Sequence, residues 1–436
     1  MQLLVMLLLA ISFVESALSA EGPAALRQPL PLTLRDAMDA AVNNNPNIRL
    51  YRERIEAARG AAIAQFGALL PNLSGTARQS QQTLFLGTLG LAPVRSHPFS
   101  IFDARATGSQ NIFSLTLLQR WQASREALKV AEMEAETTRL DTMAEVALAY
   151  LEVLKAQASA EAHAANTKVF EDLLTVFHGR RGGGMATGLD IARIEAQLEN
   201  ERQQLTTARY EAKRLQYKLI QGMALPFDTQ LVLTDRLITE LPSLPAAEEA
   251  LNVAAGRRAE VKAQARKIKT ASLKLDSTTS ERLPSMYAQG DYGLIGNRWN
   301  NTLDTYNIGV FLSVPIFDGG QREGRIRESR SELRQEQIKM SVVLNQIGLE
   351  VNDALVTAEA GNEQFGIAQT GLMASLRELE LARARFNVLS SGSSIEVANA
   401  LFSVIRARDN LVDATFRINA ARVNLARALG QLEELR

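Results

Sequence analysis

Three histidines, one glycine-rich stretch and two carboxylates near predicted helix starts are the groups in this chain that could do chemistry. His97, His163 and His178 lie far apart, and none falls in an HExxH, GxSxG or paired-ligand spacing. His163 sits on a predicted helix, which suits a solvated or interhelical side chain better than a ligand. There is no cysteine. That excludes disulfides, thiolate metal sites and a Cys nucleophile, and it removes the acylation site of a bacterial lipoprotein. Gly179, Gly182, Gly183, Gly184 and Gly188 precede a helix, where backbone N–H groups can cradle phosphate. No strand precedes them and no Lys-Ser/Thr follows, so glycine here supplies turn geometry rather than a nucleotide loop. Asp190 and Glu396 stand at helix starts, where a carboxylate caps the helix or meets its dipole. No catalytic, cofactor or metal site emerges.

Composition narrows the class. The 436 residues carry 48 basic and 48 acidic side chains. A balanced charge gives no footprint for nucleic acid and no acidic tail. Aromatics are few and only 12 prolines interrupt a chain rich in Ala, Leu, Arg, Glu and Gln, which favours long helices.

Residues 1–20 read as a signal peptide. Leu3 to Val14 is nearly all apolar, the length of a signal h-region and too short for an ordinary spanning helix. Ser16, Ala17, Ser19 and Ala20 follow, so cleavage after Ser19 or Ala20 is expected. No Lys or Arg precedes the apolar run, so either the amino terminus supplies the charge or the true start lies upstream. The alternative is a buried N-terminal helix. No later segment holds 18 consecutive apolar residues, so any membrane crossing must use strands.

The elements that must position everything else occur twice. Residues 21–240 form one structural repeat and 241–436 a second of the same plan: two helices, two strand-like stretches, a long helical hairpin. In the first, Thr33 caps an amphipathic helix, Asn45-Pro46 breaks it, and a second helix runs to Leu69 before Pro71. In the second, helices cover Ala247 to Ala255 and Arg258 to about Glu281, and Pro284 stops them. Tyr306, Ile308, Val310, Leu312 and Val314 then alternate with Asn307, Gly309, Phe311 and Ser313. Such period-2 alternation fits a barrel strand with lipid outside and water inside, and equally a strand in a soluble sandwich. Ala104 and Ala106 against Asp103, Arg105 and Thr107 give the same pattern more weakly.

The helices are unusually long. Leu117 to Phe177 lacks Pro and Gly and reaches about 90 Å if continuous. Ile191, Ile194, Leu198 and Leu205 keep a 3–4 spacing, as do Val397, Leu401, Val404 and Leu411. Ile326, Leu333, Met340 and Ile347 recur every seven residues. These are coiled-coil seams, with Glu201, Arg408, Thr415 and Arg422 in polar slots. Trp121 and Trp299 lie near predicted strand ends or loops, suiting either an interfacial aromatic belt or ordinary packing.

Taken in order, these motifs resemble the TolC-like outer membrane efflux proteins across almost the whole mature chain. The carriers are Leu34, Ala37, Ala41 and Asn45-Pro46, the helix-ending Leu70-Pro71 and Leu283-Pro284, and Gly222 and Gly430 after apolar helices. Copy two departs by having Arg257-Arg258 at the break. Most specific is Val314-Pro315-Ile316-Phe317-Asp318-Gly319-Gly320, a strand-to-helix swivel; Phe113-Ser114 takes that place in copy one without the Pro and the Gly pair.

The resemblance implies a mainly α fold with a β-barrel part: a long coiled-coil α-barrel plus four strands per chain, closed by a homotrimer into 12 strands. It implies a passive exit duct in the outer membrane, reaching into the periplasm, with outer-membrane lipid, a periplasmic adaptor and an inner-membrane pump as partners. Drug efflux, metal efflux and type I protein secretion all fit such a duct. By position, Glu396 and Asn399 fall in the pore-gate slots after the second hairpin tip, with Asp190 and Arg193 as first-copy equivalents. The family often has an acid where Asn399 stands, so a ring here carries less charge. Gly184, Gly188, Leu189, Gly392 and Ser394 fall where an adaptor would dock. The competing readings are a soluble or peripheral coiled-coil scaffold and a periplasmic enzyme or binding protein.

Overall fold

The computed structural model describes residues 30–90, 92–181, 186–240, 243–388 and 394–435. The signal-peptide reading of residues 1–20, and the tip positions Gly184 and Gly392, lie outside the described residues. The chain opens with β1 (Leu30–Leu32), α1 (Leu34–Asn44) and α2 (Pro46–Gly67). Next come β2 (Asn72–Gln82), β3 (Phe99–Phe113), α3 (Leu115–Arg181) and α4 (Gly188–Gly222). After β4 (Leu231–Leu233) the order recurs: α5 (Ala247–Arg257), α6 (Ala259–Ser280), β5 (Ser285–Arg298), β6 (Asn301–Ser313), α7 (Gln321–Val388) and α8 (Ser394–Leu429).

Local signals explain most boundaries. Thr33 and Asp36 form a capping box at α1. Asn45 caps α2 with its side chain while Pro46 occupies the first helical position, where a missing N–H costs nothing. The Asn45 amide also donates to the Gly222 carbonyl at 3.1 Å, closing the C-terminal end of α4. In copy two, Arg258 takes this place: its guanidinium reaches the Ala428 carbonyl near the end of α8 at 3.5 Å. The sequence motif is lost there but its structural duty is kept.

Two rods dominate. α3 runs unbroken for 67 residues and α7 for 68, each about 100 Å long. In the half nearer the strands, α2 packs on α3, α6 packs between α3 and α7, and the order across is α2-α3-α6-α7. In the other half α4 packs on α3, and α8 lies between α3 and α7. One core gathers Leu32, Met38, Tyr150, Leu219, Met223 and Leu432 around the parallel β1–β4 pair. A second sits near the hairpin tips, with Phe177 stacked on Phe386 at 5.3 Å. Tyr150, fully buried, donates to the Leu32 carbonyl at 2.9 Å, and burial raises its phenol well above the usual value.

One polar slot of the seams, Glu201, is turned inward and paired. Glu201 is buried and accepts from Asn166 at 3.1 Å, with His163 Nδ1 at 2.7 Å from the same oxygen. Arg408 of α8 donates to Asn166 Oδ1 at 2.7 Å. One satisfied network therefore ties α3, α4 and α8 at a single level, and a register slip would orphan every member. His163 is an interhelical residue.

The four long strands make one antiparallel sheet in the order β2-β3-β5-β6. Register sorts its two faces. Gly75, Ala106, Tyr292 and Tyr306 share one row and Leu73, Gly108, Gly290 and Ile308 the next. On the other face Thr76, Arg105, Gly293 and Thr305 share a row, and Ser74, Thr107, Asp291 and Asn307 the next. In these middle rows the weak alternation of β3 joins an apolar side and a polar side, while toward the ends the polar side also takes Leu303 and the stacked pair Tyr287 and Phe311.

Conduit wall and hairpin-tip gate candidates

The junction between sheet and rods is built differently in the two copies. Copy one passes from β3 into α3 with only Ser114 between them, and Ser114 Oγ accepts from the Leu117 N–H at 3.3 Å. Above it, Gln110 and Asn111 side chains donate to the Leu69 and Ala68 carbonyls at 2.8 and 2.9 Å, closing the end of α2. Copy two inserts Val314 to Gly320. Gly319 and Gly320 hold φ of 68° and 85°, which side-chain-bearing residues rarely adopt. Asp318 then accepts from the Arg322 N–H at 3.0 Å and starts α7. Burial works to raise the Asp318 carboxyl, but the Arg322 N–H and guanidinium hold it below its usual value. Pro315 sits in this link beside Ile316 and Phe317, which are 92% and 86% exposed; Phe113, the matching residue, is exposed too. In a single chain nothing covers this apolar shelf at the base of the sheet.

At the far end of the rods, Asp190, Arg193 and Asn399 come together. They line one groove of about 340 Å³ between α4 and α8, with Phe177, Ile194 and Phe402. The sequence places Asp190 at the opening of α4; the structure makes Thr187 the N-cap and Asp190 the third helical residue of a capping box. Its carboxylate accepts the Thr187 N–H at 2.9 Å and Oγ1–H at 2.6 Å. Glu396 points elsewhere. It lies 3.6 Å from Arg385 of α7, a pairing that no sequence spacing announces. Gly188 begins α4 and Leu189 is 59% exposed on its first turn, while Ser394 begins α8.

Of the tryptophans, Trp121 belongs to α3 and packs on Phe66 at 5.3 Å beneath Arg125. Trp299 sits in the β5–β6 turn, exposed. Among the described residues no group of acidic or histidine side chains is arranged to hold a metal. No described helix is long and apolar enough to cross a membrane.

Paired long rods, a four-stranded sheet with one apolar face and hairpin tips at the opposite end define a channel protein that meets the membrane through strands. The chain belongs to the outer membrane efflux protein family, whose pattern matches residues 37–223 and again 250–431. It is 26% identical to the pyoverdine export outer membrane protein OpmQ of Pseudomonas aeruginosa, covering 91% of this chain and 85% of OpmQ. It is 22% identical to the outer membrane efflux protein BepC of Brucella suis, over 98% of this chain and 90% of BepC. The fold superposes on the Campylobacter jejuni CmeC outer membrane channel with a TM-score of 0.77 at 18% identity, over 92% of this chain and 86% of that one. The protein is an efflux exit duct of the outer membrane and not an enzyme.

Proposed function

We propose that three copies of this chain close into one passive conduit, with a 12-stranded barrel in the outer membrane and a hollow helical barrel below it. The observation that carries this is the pair of open edges. Among the described residues, strands β2 and β6 each leave one side unpaired, and an exposed edge with an apolar face does not persist in lipid. The alternation of strand direction lets β6 of one copy pair antiparallel with β2 of the next, closing the sheet at three copies of four strands. The rods have the same vacancy. Beside the strands α3 packs against α2 and α6, whereas α7 packs against α6 with no described helix in the place that α2 takes on α3. On α7, Ile338, Val342, Leu349 and Val356 make an exposed stripe at intervals of four and seven. The internal repeat supplies its partner: α2 and α4 of the next copy, which expose Leu50, Ile63 and Tyr210.

Protein recovered from outer-membrane fractions is expected to run as a heat-labile trimer and to conduct ions in planar lipid. A stable, detergent-independent monomer without conductance would leave the soluble-scaffold alternative standing.

Substrate enters at the tips and leaves through the barrel, with an inner-membrane pump and a periplasmic adaptor supplying energy and selection. OpmQ, by its name, serves pyoverdine export, and this duct likewise carries small molecules. The adaptor docks at Gly188, Leu189 and the start of α8 at Ser394. Glu396 lines the gate, where three copies would place three carboxylates and favour cations. Arg385 lies beside each of them and lowers that preference. Glu396→Gln is therefore expected to weaken cation preference by about twofold, and Arg385→Gln to strengthen it, in reversal potentials across a salt gradient. Unchanged potentials in both variants would remove this pair from the pore. Residues 1–20 act as the export signal.

A further inference from the structure

Half-way along the sheet, on its polar face, one guanidinium spans three strands. Arg105 leaves β3, donates through Nε to Asp103 at 2.8 Å and through Nη1 to Asp291 of β5 at 2.5 Å. Its Nη2 reaches Thr305 Oγ1 of β6 at 3.5 Å. To do so its stem crosses the backbone of β5 at Gly293, the residue directly opposite it in register. A Cβ on Gly293 would stand 2.7 Å from Arg105 Cγ and 2.6 Å from the Ala104 carbonyl oxygen, so only glycine leaves a seat for this side chain. Arg78 of β2 stands opposite Asp103 on the same face. The belt thus holds two basic groups, Arg78 and Arg105, and two acidic ones, Asp103 and Asp291, with no formal excess of either sign.

We propose that this belt is a specificity-determining element of the duct: a charge-balanced collar in the barrel lumen that keeps the exit from sorting cargo by charge. The inference rests on the trimeric barrel described above. Threefold closure repeats the belt around the lumen, so removing one charge per chain changes the wall by three. Fixed charges act across such a lumen when the screening length is long, about 30 Å at 0.01 M salt, and hardly at all at 1 M. Seating Arg105 between two carboxylates leaves it part-buried rather than projecting, so the collar neutralises without obstructing.

The test is the reversal potential of purified trimers in planar lipid under a KCl gradient near 10 mM. Arg105→Gln is expected to raise the potassium-to-chloride permeability ratio about threefold, and Asp291→Asn to lower it by a similar factor. The double variant restores the balance and should return the ratio to the wild-type value, a reversal that a purely structural role cannot produce. Should Arg105→Gln fail to reach the membrane, Asp291→Asn and the double variant carry the same contrast. Two conducting single variants with unchanged ratios, or with shifts of the same sign, overturn the collar. Absence of conductance from the wild type overturns the barrel itself.

Discussion

Ile308→Arg is expected to abolish assembly in the outer membrane, while Asn307→Arg, one residue earlier on the same strand, assembles as a trimer. Ile308 lies near the middle of β6, 80% exposed, on the row that also holds Gly108 and Gly290. If that row meets hydrocarbon, an arginine there costs about 2–4 kcal/mol at the bilayer midplane, and trimerisation repeats the cost three times. Asn307 shares its row with Asp291 and Thr107 on the opposite face, which the proposed barrel turns toward its lumen, where a further cation remains hydrated. The measurement is heat-labile trimer in outer-membrane fractions for each variant. Equal assembly of both would mean that the two faces are not lipid and water.

That contrast was half legible in the sequence. The alternation of β6 is plain from Tyr306 to Leu312, but β2 is a run of Ser, Thr, Gln and Arg with only Leu73 and Ala77 as apolar punctuation. A strand's face is decided by its neighbours, and the pairing of β3 with β5 joins residues nearly two hundred positions apart. For the same reason the link between Arg105 and Asp291 has no local signature, although the Asp103–Arg105 alternation hinted at a polar face. The long helices were easier, because absence of Gly and Pro and a 3–4 repeat are local signals. Position along the chain alone marks the gate candidates, and it carries no sign that Glu396 stands apart from the Asp190–Asn399 groove.

The second large effect is expected at Arg258, where the sequence reads only as a departure from the Asn-Pro break. Its guanidinium is buried, donating to both oxygens of Glu260 at 2.6 and 3.0 Å and to Glu350 of α7 at 2.8 Å. Arg427 of α8 also lies 3.5 Å from Glu350, and it pairs with Asp141 of α3. Arg258→Ala would leave Glu260 and Glu350 partly buried and short of a partner, a loss of about 3–5 kcal/mol. Lysine lacks the fork that engages two carboxylates at once, so Arg258→Lys should recover only part of it.

The pH dependence separates this from simple loss of packing. In the native protein, burial works to raise the Glu260 and Glu350 carboxyls, but Arg258, with Gln346 at Glu350, holds both below their usual values. Their contribution is present above the unfolded value, near 4.5, and fades as pH falls through the lower folded values. In Arg258→Ala, burial is no longer offset to the same extent, the folded values move upward, and the variant loses less stability than the native protein on acidification. Thermal melts of detergent-solubilised trimer at pH 7 and pH 5 should therefore show a deficit that narrows in acid. A deficit of equal size at both values would assign the loss to packing alone.

The near-identical lengths of α3 and α7, 67 and 68 residues, carry a consequence for how such ducts can change size. Both staves must finish level for the mouth to be flat. Four extra residues in one of them would push alternate tips out of plane by about 6 Å. A single extra residue would rotate everything beyond it by about 100° and break the seam. Relatives with a longer or shorter tunnel should differ by whole heptads, inserted twice in the gene at matching places and again on the returning helices.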